Sequence, residues 1–97
     1  MRYRFTTDVW QVPDGSWHFV TLPFEVSDEI DESSLAARRG FGSVRVEITI
    51  GATTWRTSVF PDSKAGAFVL PVKRAVRTRE HLAAGDQVDV DLLVIRE

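Results

Sequence analysis

The stretch "SVRVEITI", residues 43–50, alternates without a break: Val44, Val46, Ile48 and Ile50 fall on one side, and Arg45, Glu47 and Thr49 on the other. A strand turns successive side chains to opposite faces, so this period places one face in a core and the other in water. "QVDVDLLV" repeats the pattern, with Val88, Val90, Leu92 and Val94 set against Asp89 and Asp91. "YRFTTDV" puts Tyr3, Phe5 and Val9 on one face. "WHFVTL", "TTWRTSVF" and "AFVL" are rich in β-branched and aromatic residues and are bounded by turn formers. The 97 residues hold about six strands. Two domains of half that length would each lack a sufficient core, so residues 1–97 read as one domain.

Two segments leave the strand pattern. "FEVSDEIDESSLAA" has the acidic bias of a helix start, with Ser27 as its expected N-cap. "VKRAVRTREHL" places Val72, Ala75 and Val76 on a narrow apolar stripe, and Pro71 suits the first helical position. Gly85 and Asp86 turn the chain into the last strand. An internal echo aligns "WQVPDGSWHFVTLP" with "SVFPDSKAGAFVLP" at an offset of forty-eight, matching Pro13-Asp14 to Pro61-Asp62 and Leu22-Pro23 to Leu70-Pro71. The expected fold is therefore mainly β with two short helices. It is a small closed barrel of about six or seven strands, built from two pseudo-repeated strand–strand–helix–strand units.

The chain has no cysteine, which removes disulfides, thiolate metal sites and a cysteine nucleophile. No apolar run approaches the roughly 18 residues of a membrane span. The start "MRYRFTTDVW" lacks the apolar block of a signal peptide. A cytoplasmic protein with no membrane partner is the expectation. Net charge is −2, but it is unevenly placed. Residues 1–34 carry 2 basic and 7 acidic groups, residues 35–79 carry 9 and 2, and residues 80–97 carry 1 and 5. The basic middle block becomes a surface patch if the fold gathers it.

Several chemistries find no motif. His18 and His81 share no ligand spacing and read as ordinary surface or rim residues. "DEIDE" lacks the alternation and central glycine of a calcium loop. "GFG" at 40–42 is not followed by Lys-Ser/Thr and precedes a strand. Ser58 has no nucleophile elbow around it. No catalytic motif, metal site or cofactor is expected.

One feature asks for a reason. If Pro71 opens the second helix, Lys73 and Arg74 sit in its first turn, where cations are disfavoured by roughly 0.3–1 kcal/mol each. Arg77 falls on the same face one turn later. With the free N–H groups these side chains form a cradle for phosphate or carboxylate. Arg38 and Arg39, at the same stage of the first unit, approach it across the barrel, and Gly40 and Gly42 around Phe41 suit a close backbone approach. The same cations also serve as solvated charges balancing the acidic flanks, and that reading stays open. For Trp10, Trp17 and Trp55, core packing is the expectation and a ligand-stacking platform the alternative.

"WHFVTLP", "RRGFGSVRVEITIG", "TSVFPD" and "LPVKRAVR…GDQVDVDL" together resemble the bacterial and archaeal domain of unknown function 1905 family, over Phe5 to Val94. The resemblance implies a small closed barrel with short helices. The family's recurring positions map onto Trp17, Pro23, Arg39, Gly42, Ser58, Pro61, Lys73, Arg77, Gly85 and Asp86. More locally, "FVLPVKRAVRTREHLAAGDQVDVDL" is similar to the strand–proline–helix–strand unit of AbrB-type transcription factors, which bind DNA as interlocked dimers. The expected function is a binding module for a small anionic or polar ligand, held by Arg39, Phe41, Ser58, Lys73, Arg77 and Trp17. The alternative is a nucleic-acid-binding or protein-interaction domain. Nucleic acid is the weaker reading because the acidic flanks repel it. The oligomeric state stays open.

Overall fold

The computed structural model describes residues 1–33 and 42–95. The elements run β1 (Arg2–Gln11), β2 (His18–Thr21), α1 (Phe24–Ser33), β3 (Val44–Ile50), β4 (Thr53–Asp62), β5 (Ala67–Pro71), α2 (Arg74–Glu80) and β6 (Gln87–Val94). The six strands close into an antiparallel barrel in the order β1-β2-β5-β4-β3-β6, with β6 returning to β1.

The alternation accounts for the interior. Val44, Val46, Ile48 and Ile50 of β3 meet Val88, Val90 and Leu92 of β6, and all are buried. Val9, Val20, Val59 and Leu70 close the layer from the other strands. Val26 and Ile30 of α1, Val72 just before α2 and Val76 within it complete the core. Each helix is too short to stand alone and is held by this apolar contact. Burial holds the Tyr3 phenol above its ordinary range, and the Glu29 carboxylate adds to the effect.

The barrel carries a twofold pattern in its hydrogen bonds. Leu22 N donates to Phe68 O, and Val72 N donates to His18 O, both at 2.9 Å. Raising Leu22 and lowering Phe68 by fifty positions turns the first bond into the second. The hairpin registers obey the same shift: Trp10↔Phe19 and Gln11↔His18 become Phe60↔Val69 and Pro61↔Phe68. The backbone correspondence is thus fifty positions, not the forty-eight of the residue echo. Pro13 and Asp14 lie in the β1–β2 turn, whereas Pro61 and Asp62 end β4.

Both helix starts differ from expectation. α1 begins at Phe24, so Ser27 is inside the helix rather than its cap. Ser27 is buried, and its Oγ accepts from Phe68 N at 3.0 Å. Pro71 is the last residue of β5, paired with Phe19, and Lys73 takes the N-cap position. Ala75 is exposed, leaving Val72 and Val76 as the apolar contacts. α2 ends on His81 in the left-handed region, φ 55°. Its far end is tied down by Glu80, whose carboxylate accepts from Thr53 Oγ1 at 2.6 Å beside Gly51. Gly51 has φ 58°, and a Cβ there would run into that carboxylate.

Ser27→Ala removes the hydroxyl that accepts from the buried Phe68 N–H. It should lower unfolding free energy by about 1–3 kcal/mol in urea titration, with an unchanged slope.

Candidate functional site

The site is built at the junction of β5 and α2. Val72 drives inward, 1% exposed, and its N–H is held by His18 O. That contact brings the end of β5 against the start of β2. Lys73 follows in extended conformation, φ −66° and ψ 157°, and its carbonyl accepts from Val76 N and Arg77 N at 3.1 Å. No side chain caps the helix. Lysine has no acceptor to offer, so the N-cap position lacks the Ser, Thr, Asp or Asn that normally satisfies it. Arg77, half-buried, reaches back, and its Nη1 donates to Val72 O at 2.7 Å. Opposite, His18 contacts Ser16 O through Nδ1 at 2.7 Å. These groups surround a cleft of about 340 Å³ lined by Ser16, Trp17, His18, Val72, Lys73, Arg74 and Arg77.

Three cations therefore face one hollow. Among the described residues the ion pairs are Arg2 and Arg4 with Asp91 and Arg56 with Glu47, so Lys73, Arg74 and Arg77 have no acidic partner there. Trp17 forms the opposite wall. It is 64% exposed and lies nearly parallel to Phe19, centroids 6.1 Å apart. Phe19 in turn packs on Trp10 at 5.0 Å, and Trp10 Nε1 donates to Thr21 Oγ1 at 3.0 Å. Trp17 also borders an almost wholly apolar groove of about 490 Å³, lined by Val12, Phe19, Phe60, Val69 and Pro71 as well. The expectation of core tryptophans thus fails for Trp10 and Trp17, which cover the outer wall, and holds for Trp55, which packs partly buried on the core.

The twofold pattern generates a second cleft where α1 follows β2. It measures about 380 Å³ and is lined by Ser27, Asp28, Asp31, Asp62, Gly66, Ala67 and Phe68 among others. Ser16, Trp17 and His18 correspond to Gly66, Ala67 and Phe68, and Arg77 to Ser27. One backbone arrangement thus appears twice with opposite charge. A third hollow of about 430 Å³ lies between Arg4, Thr6, Asp89 and Asp91. Its polar groups are partnered internally: Arg4 pairs with Asp91 at 3.2 Å, and the Thr6 hydroxyl donates to Asp89 at 2.7 Å.

Of the residues expected at the site, Trp17, Lys73 and Arg77 come together. Ser58 does not: it sits on β4 opposite Arg45, outside this cleft. Arg39 and Phe41, with Arg38 and Gly40, lie outside the described residues. His18, a surface or rim residue by its sequence, lies at the edge of this cleft. Phe60 was legible from its place next to inward-facing Val59, which turns it outward. Among the described residues no group of three or more His, Cys, Asp or Glu is arranged to hold a metal. No helix among them is long and apolar enough to cross a membrane.

These features define a small closed antiparallel barrel with two helix-flanked clefts of opposite charge on either side of an aromatic wall. The chain belongs to the family described as domain of unknown function DUF1905, whose model matches residues 5–92. That match runs from Phe5 in β1 to Leu92 in β6. Comparison with curated proteins finds no match.

The cations at the cleft divide by role. Arg77→Ala loses a charged hydrogen bond to a backbone carbonyl and should lower stability by about 1–2 kcal/mol. Lys73→Ser supplies a cap and removes a cation from the helix start, and should raise stability by about 0.5–1 kcal/mol. Urea unfolding of the two variants checks both signs.

Proposed function

We propose that the domain is a binding module for a small anionic ligand with an apolar or aromatic body. The anionic group sits between Lys73, Arg74 and Arg77, and the body lies along Trp17 toward Phe19. The observation that carries this reading is the set of three acid-free cations sharing one hollow with a largely exposed tryptophan. Phosphate and carboxylate suit such donors, and guanidinium groups add directional pairs of N–H bonds. A flat or apolar body gains from the tryptophan face. Lys73 at an unfavourable helix position then has a reason, because its cost to the fold is offset by ligand affinity. A nucleic-acid strand is a poorer fit: a phosphate chain following this wall would leave the cationic cleft and meet Asp28, Asp31 and Asp62.

A thermal-shift panel of phosphosugars, nucleotides and aromatic carboxylates tests the reading. A ligand at about ten times its Kd adds about 1.4 kcal/mol and raises Tm by roughly 5–10 °C for a domain of this size. The shift should vanish in a Lys73→Glu, Arg74→Glu variant. A panel with no shift at millimolar ligand sinks the reading.

A further inference from the structure

The outer wall of β2 and β5 has an uncommon arrangement of charge. The cationic cleft lies at the end where His18 meets Val72, and the anionic cleft at the end where Phe68 meets Leu22. Four residues of strand separate them, about 13 Å at strand spacing. Between them the wall is mainly apolar: Phe19 and Pro71 face outward there, as does the largely covered Val69, because Val20 and Leu70 are fully buried, and the hydroxyl of Thr21 is taken by Trp10 Nε1. Trp17 and Phe60 flank this strip, exposed by 64% and 42%. The wall therefore runs positive, apolar, negative along one line.

We propose that this wall is an interface with a second copy of the chain, joined as an isologous twofold dimer. A twofold axis lying in the plane of the wall, across the strands, sets two walls face to face and exchanges their ends. Each cationic cleft then faces the second copy's anionic cleft, and both ionic contacts form at once. The apolar strips meet in the middle, where the exposed aromatic surface leaves water. A copy of the same chain is the occupant with both charges at the required separation. Lys73, Arg74, Asp28 and Asp31 are without ion-pair partners among the described residues, so all four are available to it. A small anion bound as proposed above draws on the same cations, so ligand and second copy exclude each other. The dimer does not rest on that reading, and oligomeric state is measured without any ligand.

The test is sedimentation of the full chain across micromolar to high-micromolar concentration at low ionic strength. A concentration-dependent monomer–dimer equilibrium is expected. At about 1 M salt, where the Debye length falls to about 3 Å, its Kd should rise by about tenfold or more. Phe60→Asp should abolish it, with Phe60→Ser as the milder variant. Lys73→Glu with Arg74→Glu leaves two anionic clefts, and Asp28→Lys with Asp31→Lys leaves two cationic ones, so each double variant alone should be monomeric. Mixed in equal amounts, they should form a dimer holding one of each. Far-UV spectra and melting curves establish that every variant is folded. Three results overturn the proposal: a wild-type chain that stays monomeric throughout, a dimer indifferent to both charge reversals, or a mixture that does not recombine.

Discussion

The ladder between β2 and β5 is three residue pairs long, and the site is arranged around it. Val20 and Leu70, facing each other at its centre, are fully buried and join the two hairpins into one ring. At each end the chain leaves a strand, inserts one apolar residue, Leu22 or Val72, and starts a helix. The inserted residue donates its N–H to the neighbouring strand's carbonyl, so the helix start cannot drift from the facing hairpin. Both clefts are consequences of that bond. Their walls are the turn of one hairpin and the first turn of the helix following the other.

The two clefts share backbone geometry and differ in side chains, and this locates the chemistry in the substitutions rather than the scaffold. Where Ser27 satisfies the strand N–H of Phe68, the corresponding Arg77 instead reaches the carbonyl of Val72. The acidic side is thereby closed by a buried hydroxyl, and the basic side keeps a charged group at its rim. An arginine held by its own helix start is partly immobilised, so less conformational entropy is lost when an anion meets it.

Much of the barrel was legible because alternation is a strong signal. Six strands with the inward faces of β3 and β6 follow directly from "SVRVEITI" and "QVDVDLLV". The helix starts were not legible to the residue. Proline suits both a strand end and a first helical position, and the choice at Pro71 was made by its long-range pairing with Phe19. Ser27 looks like a cap locally, yet it serves a strand forty-one residues away. The offset of the echo misled for a related reason: Pro-Asp is favoured in many turns and strand ends, so its recurrence tracks composition more than backbone position. For the site, Lys73, Arg77 and Trp17 stood out from charge placement and aromatic content. The anionic counterpart did not, because Asp28 and Asp31 are exposed residues of an acidic helix and only the fold places them at the second cleft.

Ring closure has a further effect on how the molecule meets others. Every strand is hydrogen-bonded on both sides, β6 to β1 included. Among the described strands an extended peptide therefore finds no open edge of main-chain groups against which to lie. The same closure removes the template by which exposed β-structure seeds ordered aggregates. What the described barrel wall offers to another molecule is therefore its side chains, and the character of that surface is set by the residues that decorate it.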